Sequence, residues 1–232
     1  MVRVWTFFHE TFVQSGSGLS ILLGLLTTLR ISIFSLIFGT LLAVPLCALR
    51  MSERRFFASV ARGYIALVRG TPVLMLLMLS YYVVFASSRL DAANIAIFAF
   101  SLNTAAVVAE IMRTALHAVP SGQTDAARAL GMRGFEIFRS LILPQASRAA
   151  LPVYQSAVIN LIQWTSVVGY ISITDLTRAI NFISSRTMEP LLMLFVGIAL
   201  YLAMAYLSYG VFALLGRHPF GVSYRYDRKQ KP

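Results

Sequence analysis

Six polar side chains stand inside long apolar runs: Asn103 and Thr104, then Asn160, Gln163, Thr165 and Ser166. Amides and hydroxyls in such places bind rather than react. They hydrogen-bond a solute, or they bond one helix to another. No His/Glu/Asp or Ser/Lys constellation accompanies them to activate a nucleophile. Cys47 is the only cysteine, so no internal disulfide can form. His9, His117 and His218 lie far apart, without Cys, His or Asp neighbours at ligand spacing, so no metal site is expected. The charged residues within or at the ends of the apolar runs are more telling. Glu110 and Arg113 are spaced i, i+3, which lets them pair on one helix face. Arg30 stands alone, and a charge at the bilayer centre costs roughly 2.5–3.5 kcal/mol. It must either snorkel to the interface or find a partner in the protein. Tyr81, Tyr82, Tyr201, Tyr206 and Tyr209 read as interface or packing aromatics.

The elements that hold these residues are membrane spans. The chain has 232 residues, of which 58% are hydrophobic and 12% charged, with mean hydropathy +0.74. A soluble domain carries about 25% charged residues. An all-α integral membrane protein is therefore expected. Runs long enough to cross, about 20 apolar residues each, occur at 19–49, 71–86, 92–112, 149–174 and 190–216. The second is short unless it starts near Tyr64. Pro152 lies in the fourth, where a proline removes one helical N–H and frees a carbonyl.

Five spans put the termini on opposite sides, and basic residues choose between the sides. One set of loops holds Arg50, Arg54, Arg55, Arg62 and Arg69, then Arg113, Arg128, Arg133, Arg139 and Arg148, then Arg217, Arg225, Arg228, Lys229 and Lys231. The other holds only Arg3, Arg89, Arg178 and Arg186. This predicts an N-terminus outside and a C-terminus in the cytoplasm. The resulting division is an extracytoplasmic segment at 1–18, a transmembrane domain at 19–216 containing a cytoplasmic loop at 115–148, and a basic tail at 217–232. No cleavable leader is expected before Leu19. The net charge of +11 follows from this asymmetry, so no nucleic-acid partner is needed to explain it. The tail reads as an anchor on anionic membrane lipid.

The cytoplasmic loop is the longest polar stretch. Pro120-Ser121-Gly122 is a turn signal, and Ser121 or Thr124 is placed to cap a following helix, with Asp125 near its positive end. Ala126, Ala127 and Leu130 fall close together on one face, and small alanines there allow another protein's backbone to approach. Gly131 is placed as a C-cap glycine. A second amphipathic stretch offers Phe135, Phe138, Leu141 and Ile142, and Pro144 marks its return to the membrane.

Asp125-Ala126-Ala127, then Gly131, then Leu141-x-Leu143-Pro144 resembles the Glu-Ala-Ala loop of ABC-importer permeases, with Asp for Glu and Leu for Ile. Arg69-Gly70-Thr71-Pro72, Glu110-x-x-Arg113, Gly122-Gln123, Leu143-Pro144-Gln145 and Thr165-Ser166 resemble further segments of the polar amino-acid branch, which includes histidine, arginine, glutamine, glutamate and opine systems. The chain departs from that pattern at Gln163, where the family has lysine, and at Val167, where it has leucine. The resemblance covers roughly 18–216.

It implies the type I importer fold, MetI-like, with five transmembrane helices in the bacterial inner membrane. It implies an ATPase-coupling surface at Gly122, Gln123, Asp125, Ala126, Ala127, Arg128, Gly131 and Pro144. It implies a substrate pathway near Asn103, Thr104, Glu110, Asn160, Gln163, Thr165 and Ser166, with Arg69, Gly70, Pro72 and Arg113 structural. The implied partners are a dimer of ATP-binding subunits, a second permease chain, an extracytoplasmic solute-binding protein and a polar amino-acid substrate. The chain itself has no G-x-x-x-x-G-K-[ST] phosphate loop. It is therefore expected to be no enzyme and to bind no cofactor, with ATP and Mg held by the partner. The alternative, a stand-alone ion-coupled transporter or channel, would need an intramembrane relay. The spans offer only Arg30 and Glu110 for one.

Overall fold

A computed structural model describes residues 16–217. The segment before Gly16, with Arg3, and the tail after Arg217, with Arg225 to Lys231, lie outside the described residues. Among those described, every element is helical: α1 (Ser17–Arg50), α2 (Arg55–Gly70), α3 (Val73–Leu79) continued by a π turn (Ser80–Val84), α4 (Ala92–His117), α5 (Ser121–Ala129), α6 (Gly134–Ile137), a π turn (Phe138–Ile142), α7 (Leu143–Trp164), a 3-10 turn (Thr165–Ile171), α8 (Leu176–Thr187) and α9 (Pro190–Arg217). Three of them, α1, α4 and α9, are long and apolar enough to cross a membrane singly. The count becomes five if the bent pairs α2/α3 and α7/α8 are each one span.

The central helix is α4. Two thirds of its most apolar window is buried (67%), against 11% for α9, which lies at the periphery. Close packing of α4 on α1 is set by small residues. Ser35, Gly39, Ala43 and Cys47 are buried at four-residue spacing along α1. A Cβ added to Gly39 would stand 2.6 Å from Thr104 Cβ and 3.0 Å from the Ser101 carbonyl oxygen. In lipid, where helices gain little from the hydrophobic effect, such approach supplies the packing. The Ser35 hydroxyl donates to the Ile97 carbonyl at 3.3 Å, and Arg30 reaches Asn94. Residue numbers therefore rise together along the contact, and α1 and α4 run parallel. A core of Ile31, Leu77, Phe100, Leu161, Val168 and Ile171 joins these two helices to α3 and α7.

The structure corrects the sequence reading in several places. The run expected at 71–86 is not one helix. The chain bends by 104° between α2 and the helix that α3 begins, because Pro72 has no N–H to give and holds Thr71 extended (φ −98, ψ 132). The residues before the bend, expected mostly as loop, form the amphipathic helix α2. The run at 149–174 also differs. Its helix begins well before Ala149, continuing from the hairpin, and turns at Ser172, whose φ is +65. Beyond it lies α8, which the sequence reading did not foresee. Neither Ser121 nor Thr124 caps α5: Pro120 is the N-cap residue, without a side-chain bond. Ala126, Ala127 and Leu130 do not share one exposed face, since Ala127 is buried within the chain while Leu130 is 84% exposed. Pro152 lies inside α7, where its carbonyl accepts the Ser156 hydroxyl at 3.2 Å.

Candidate functional site

Two places gather the residues singled out above. The first is the hairpin formed by α5 and α6. Its turn is a Schellman motif: Met132 N–H donates to the Ala127 carbonyl at 3.1 Å and Gly131 N–H to Arg128 at 2.9 Å. Gly131 makes this possible with φ +82. Gln145 Nε2 donates to Gln123 Oε1 at 2.7 Å and to the Leu141 carbonyl at 3.1 Å. The glutamines of the two segments Gly122-Gln123 and Leu143-Pro144-Gln145 therefore meet and tie α5 to the start of α7. Asp125 and Arg128 form an exposed ion pair at 3.4 Å, which contributes little to stability.

Inside the hairpin Ala127 and Ile137 are buried, while Leu130 and Phe135 stand 84% and 75% exposed beside Arg128 and Arg133. Phe135 was expected on the apolar side of its helix, but Ile137 fills that side. The π turn that follows falls where Pro144 cannot donate to Ser140, so the register shifts and the helix continues without a break.

The second place is a cavity of about 530 Å³ between α4 and α7. Its polar lining comes from Arg69, Glu110, Thr114, Ser156 and Asn160, with Trp164 at one end. Glu110 Oε1 accepts from Arg113 Nε at 2.9 Å and Nη2 at 2.5 Å, so the expected pair is formed. Its other oxygen, Oε2, is buried without a partner, and Arg50 and Arg69 act on the same carboxylate electrostatically. Arg69 and Gly70 end α2, and Pro72 precedes α3.

The other candidates are scattered. Asn103 lies on the same face of α4 as Val107, Glu110 and Thr114 by helical spacing; it is buried and its Oδ1 has no partner. Thr104 is buried against Gly39, its hydroxyl also unpartnered. Thr165 is buried and donates to the Ile162 carbonyl at 2.7 Å. Ser166 is half-buried. Gln163 faces elsewhere, into a separate cavity of about 600 Å³ with Asn181 and Tyr201.

A polar node missed in the sequence joins α1, α8 and α9. Asp175 is fully buried, and its carboxylate caps α8 by accepting from Thr177 N–H at 3.1 Å and Arg178 N–H at 3.0 Å. Leu176 N–H donates to Thr28 Oγ1 at 3.2 Å, and the hydroxyls of Thr177 and Tyr201 are 2.8 Å apart. The signal was present: an aspartate just before Leu176, Ala179, Ile180 and Ile183, which are spaced as one helix face.

None of these groups forms a nucleophile–base pair, and no metal-holding cluster occurs among the described residues. Residues 35–219 match the family described as binding-protein-dependent transport system inner membrane components.

The chain belongs to this family.

Its relatives among these permeases include the octopine transport system permease protein OccM of Rhizobium meliloti, 36% identical over 219 residues, covering 90% of this chain and 87% of the relative. The histidine/lysine/arginine/ornithine transport system permease protein HisM of Salmonella typhimurium (strain LT2) is 32% identical, with 82% and 85% covered. Among solved structures, an amino acid ABC transporter with histidines superposes with TM-score 0.77 at 31% identity, covering 85% of this chain and 93% of that one. The inward-facing MetNI methionine transporter superposes with TM-score 0.73 at 19% identity, which shows a shared fold. The family resemblance and the MetI-like permease fold expected from the sequence are thus borne out, and the chain is a transport component of an ABC system.

Proposed function

We propose that this permease carries a polar amino acid or an amino-acid-like solute, opines included, inward across the bacterial inner membrane, driven by ATP hydrolysed on a separate subunit. The observation that carries the reading is the α5–α6 hairpin. It is closed on itself by Gly131, tied to α7 through Gln123 and Gln145, and presents Leu130 and Phe135 outward. A rigid hairpin with exposed apolar knobs among arginines fits a groove on another protein. An ATPase dimer can shift the permease between states only through contacts that differ between them, and this hairpin is where we place those contacts. ATP and Mg belong to the partner.

The chain crosses five times, N-terminus out and C-terminus in. The parallel run of α1 and α4 supports one crossing between them, which makes α2/α3 a single broken span. With that count, the arginines of α2 and of the α5–α6 hairpin fall on the cytoplasmic side. A second permease chain completes the pathway, and a solute-binding protein delivers cargo. Solute passes along the α4–α7 cavity, past Asn160 and Glu110. The names of the relatives, which concern octopine and basic amino acids, support this cargo class.

The test is substrate-stimulated ATP hydrolysis by the chain reconstituted with its co-purifying ATPase and binding protein. Stimulation by one amino acid or opine is expected. Ala126→Trp is expected to abolish it with insertion intact, since Ala126 is exposed whereas a bulky group at Ala127 would break the hairpin's own packing. Uptake that follows an ion gradient with no associated ATPase would overturn the reading in favour of a secondary transporter.

A further inference from the structure

Arg30 is exposed on the side of α1, and Nη2 donates to Asn94 Oδ1 at 3.2 Å. Among the described residues that is its only hydrogen bond, so most of the guanidinium's five donors are unused there. The ion pairs formed between described residues, Glu110–Arg113 and Asp125–Arg128, lie elsewhere, and Asp91, three residues before Asn94, is not paired with it. Below Arg30 a groove of about 650 Å³ runs between α1 and α4. Phe34, Phe38 and Leu42 line it at i+4, i+8 and i+12, and Phe98 and Leu102 face them from α4. Arg30 to Leu42 spans about 18 Å at ~1.5 Å per residue. One leaflet of hydrocarbon is about 15 Å deep, half of a ~30 Å core. Asn94 lies in the first turn of α4, and Arg30 stands twenty residues, about 30 Å or one hydrocarbon core, before Arg50 at the other end of α1; with Arg50 at the cytoplasmic edge, as the proposed topology has it, the guanidinium stands at headgroup depth with the groove pointing inward.

We infer that this groove is a binding site for one glycerophospholipid, whose phosphate is held by Arg30 beside Asn94 and whose acyl chain lies along Phe34, Phe38 and Leu42. Three features select this occupant. A guanidinium with free donors beside an apolar groove attracts an anion. Its planar fork matches phosphate oxygens. The groove is apolar beneath it for the depth of one leaflet. Basic pockets between membrane helices hold lipid headgroups by the same means. The site is separate from the α4–α7 cavity and lies along the contact of α1 with α4.

The experiment counts phospholipid retained on the whole transporter complex, purified from its own membrane and washed with detergent, by native mass spectrometry. About one retained phospholipid per copy of this chain is expected. Arg30→Gln should lower retention roughly tenfold or more, as expected for loss of charge-assisted hydrogen bonds. Arg30→Lys should keep much of it. Leu42→Trp, which fills the groove and leaves the arginine in place, should also expel the lipid. Arg89→Gln removes the same charge from an exposed outer loop and should change nothing. Undiminished retention in both Arg30→Gln and Leu42→Trp overturns the inference, and so does an equal loss in Arg89→Gln. If Arg30→Gln fails to assemble, Leu42→Trp and Arg30→Lys decide. Phe38→Cys, made with Cys47→Ser, reports the competing occupant: a cross-link to another subunit would put protein in the groove and overturn the assignment.

Discussion

Gly39→Ala adds one methyl group where α1 meets α4. Its Cβ would lie 2.6 Å from Thr104 Cβ, 2.7 Å from Cγ2 and 3.0 Å from the Ser101 carbonyl oxygen. Only Cγ2 can rotate away; the other two atoms are fixed to the backbone of α4. Carbon atoms rest at about 3.5–4.0 Å, so the two helices must part by roughly 1 Å, loosening the contacts at Ala43 and Cys47 as well. Overpacking of this kind costs about 1–3 kcal/mol. Against it stands the better helix propensity of alanine, about 0.5–1 kcal/mol. The net expectation is a loss of about 1–2 kcal/mol, a five- to thirtyfold fall in the folded ratio. The assay is a detergent unfolding titration of the purified chain, followed by circular dichroism. Gly63→Ala is the control, since nothing lies within 4 Å of the added carbon, and it should be neutral or stabilising. Thr104→Gly removes two of the three clashing atoms and should recover part of the loss in the double variant. A Gly39→Ala chain as stable as Gly63→Ala would refute the claim that this glycine sets the helix spacing.

Asp175→Ala removes the acceptor for two N–H groups at the start of α8 and should cost about 0.5–2 kcal/mol in thermal unfolding. Asp175→Asn, which still accepts, should cost less, and equal losses would point to charge rather than capping. Glu110→Gln weakens the partner of Arg113, so Glu110→Gln and Arg113→Ala should couple in a double-mutant cycle by about 0.5–3 kcal/mol; additive losses would show the pair to be inert. Gly131→Ala places a Cβ at φ +82 and should strain the hairpin by about 1–2 kcal/mol, with Gly131→Asn milder. Faster hydrogen exchange at Met132 and Leu130 is the readout, and unchanged exchange would count against the Schellman turn.

Long uniform elements were legible in the sequence, and bends were not. The helices α1, α4 and α9 follow from apolar length alone, and the Glu110–Arg113 pair from i, i+3 spacing. The break before α3 was signalled by Pro72, but an apolar run on one side and an amphipathic run on the other hid the helix before it. The segment after Trp164 lost its straightness through a 3-10 turn and one left-handed serine, neither of which leaves a periodic trace. The binding candidates separated for a related reason. Thr104 and Thr165 are polar residues in apolar helices, as are Asn103 and Asn160, and composition cannot tell a side chain used in packing from one that is free. The hairpin was read in outline, but Ala127 turned inward because α6 folds back onto α5, a tertiary fact.

What joins the hairpin to the cavity is a single rod. From Gly134 the backbone runs helically through the π turn and α7 to Trp164, about 45 Å at ~1.5 Å per residue. One end is bound to α5 through Gln145 and Gln123; the other carries Ser156, Asn160 and Trp164 along the cavity wall. A stiff helix transmits a displacement at one end as a tilt at the other. The facing wall is α4, locked to α1 by contacts too close to slide freely at Gly39. In the proposed transport cycle, force applied at the hairpin would meet one wall free to tilt and one that is held, and the cavity between them would be the volume that changes.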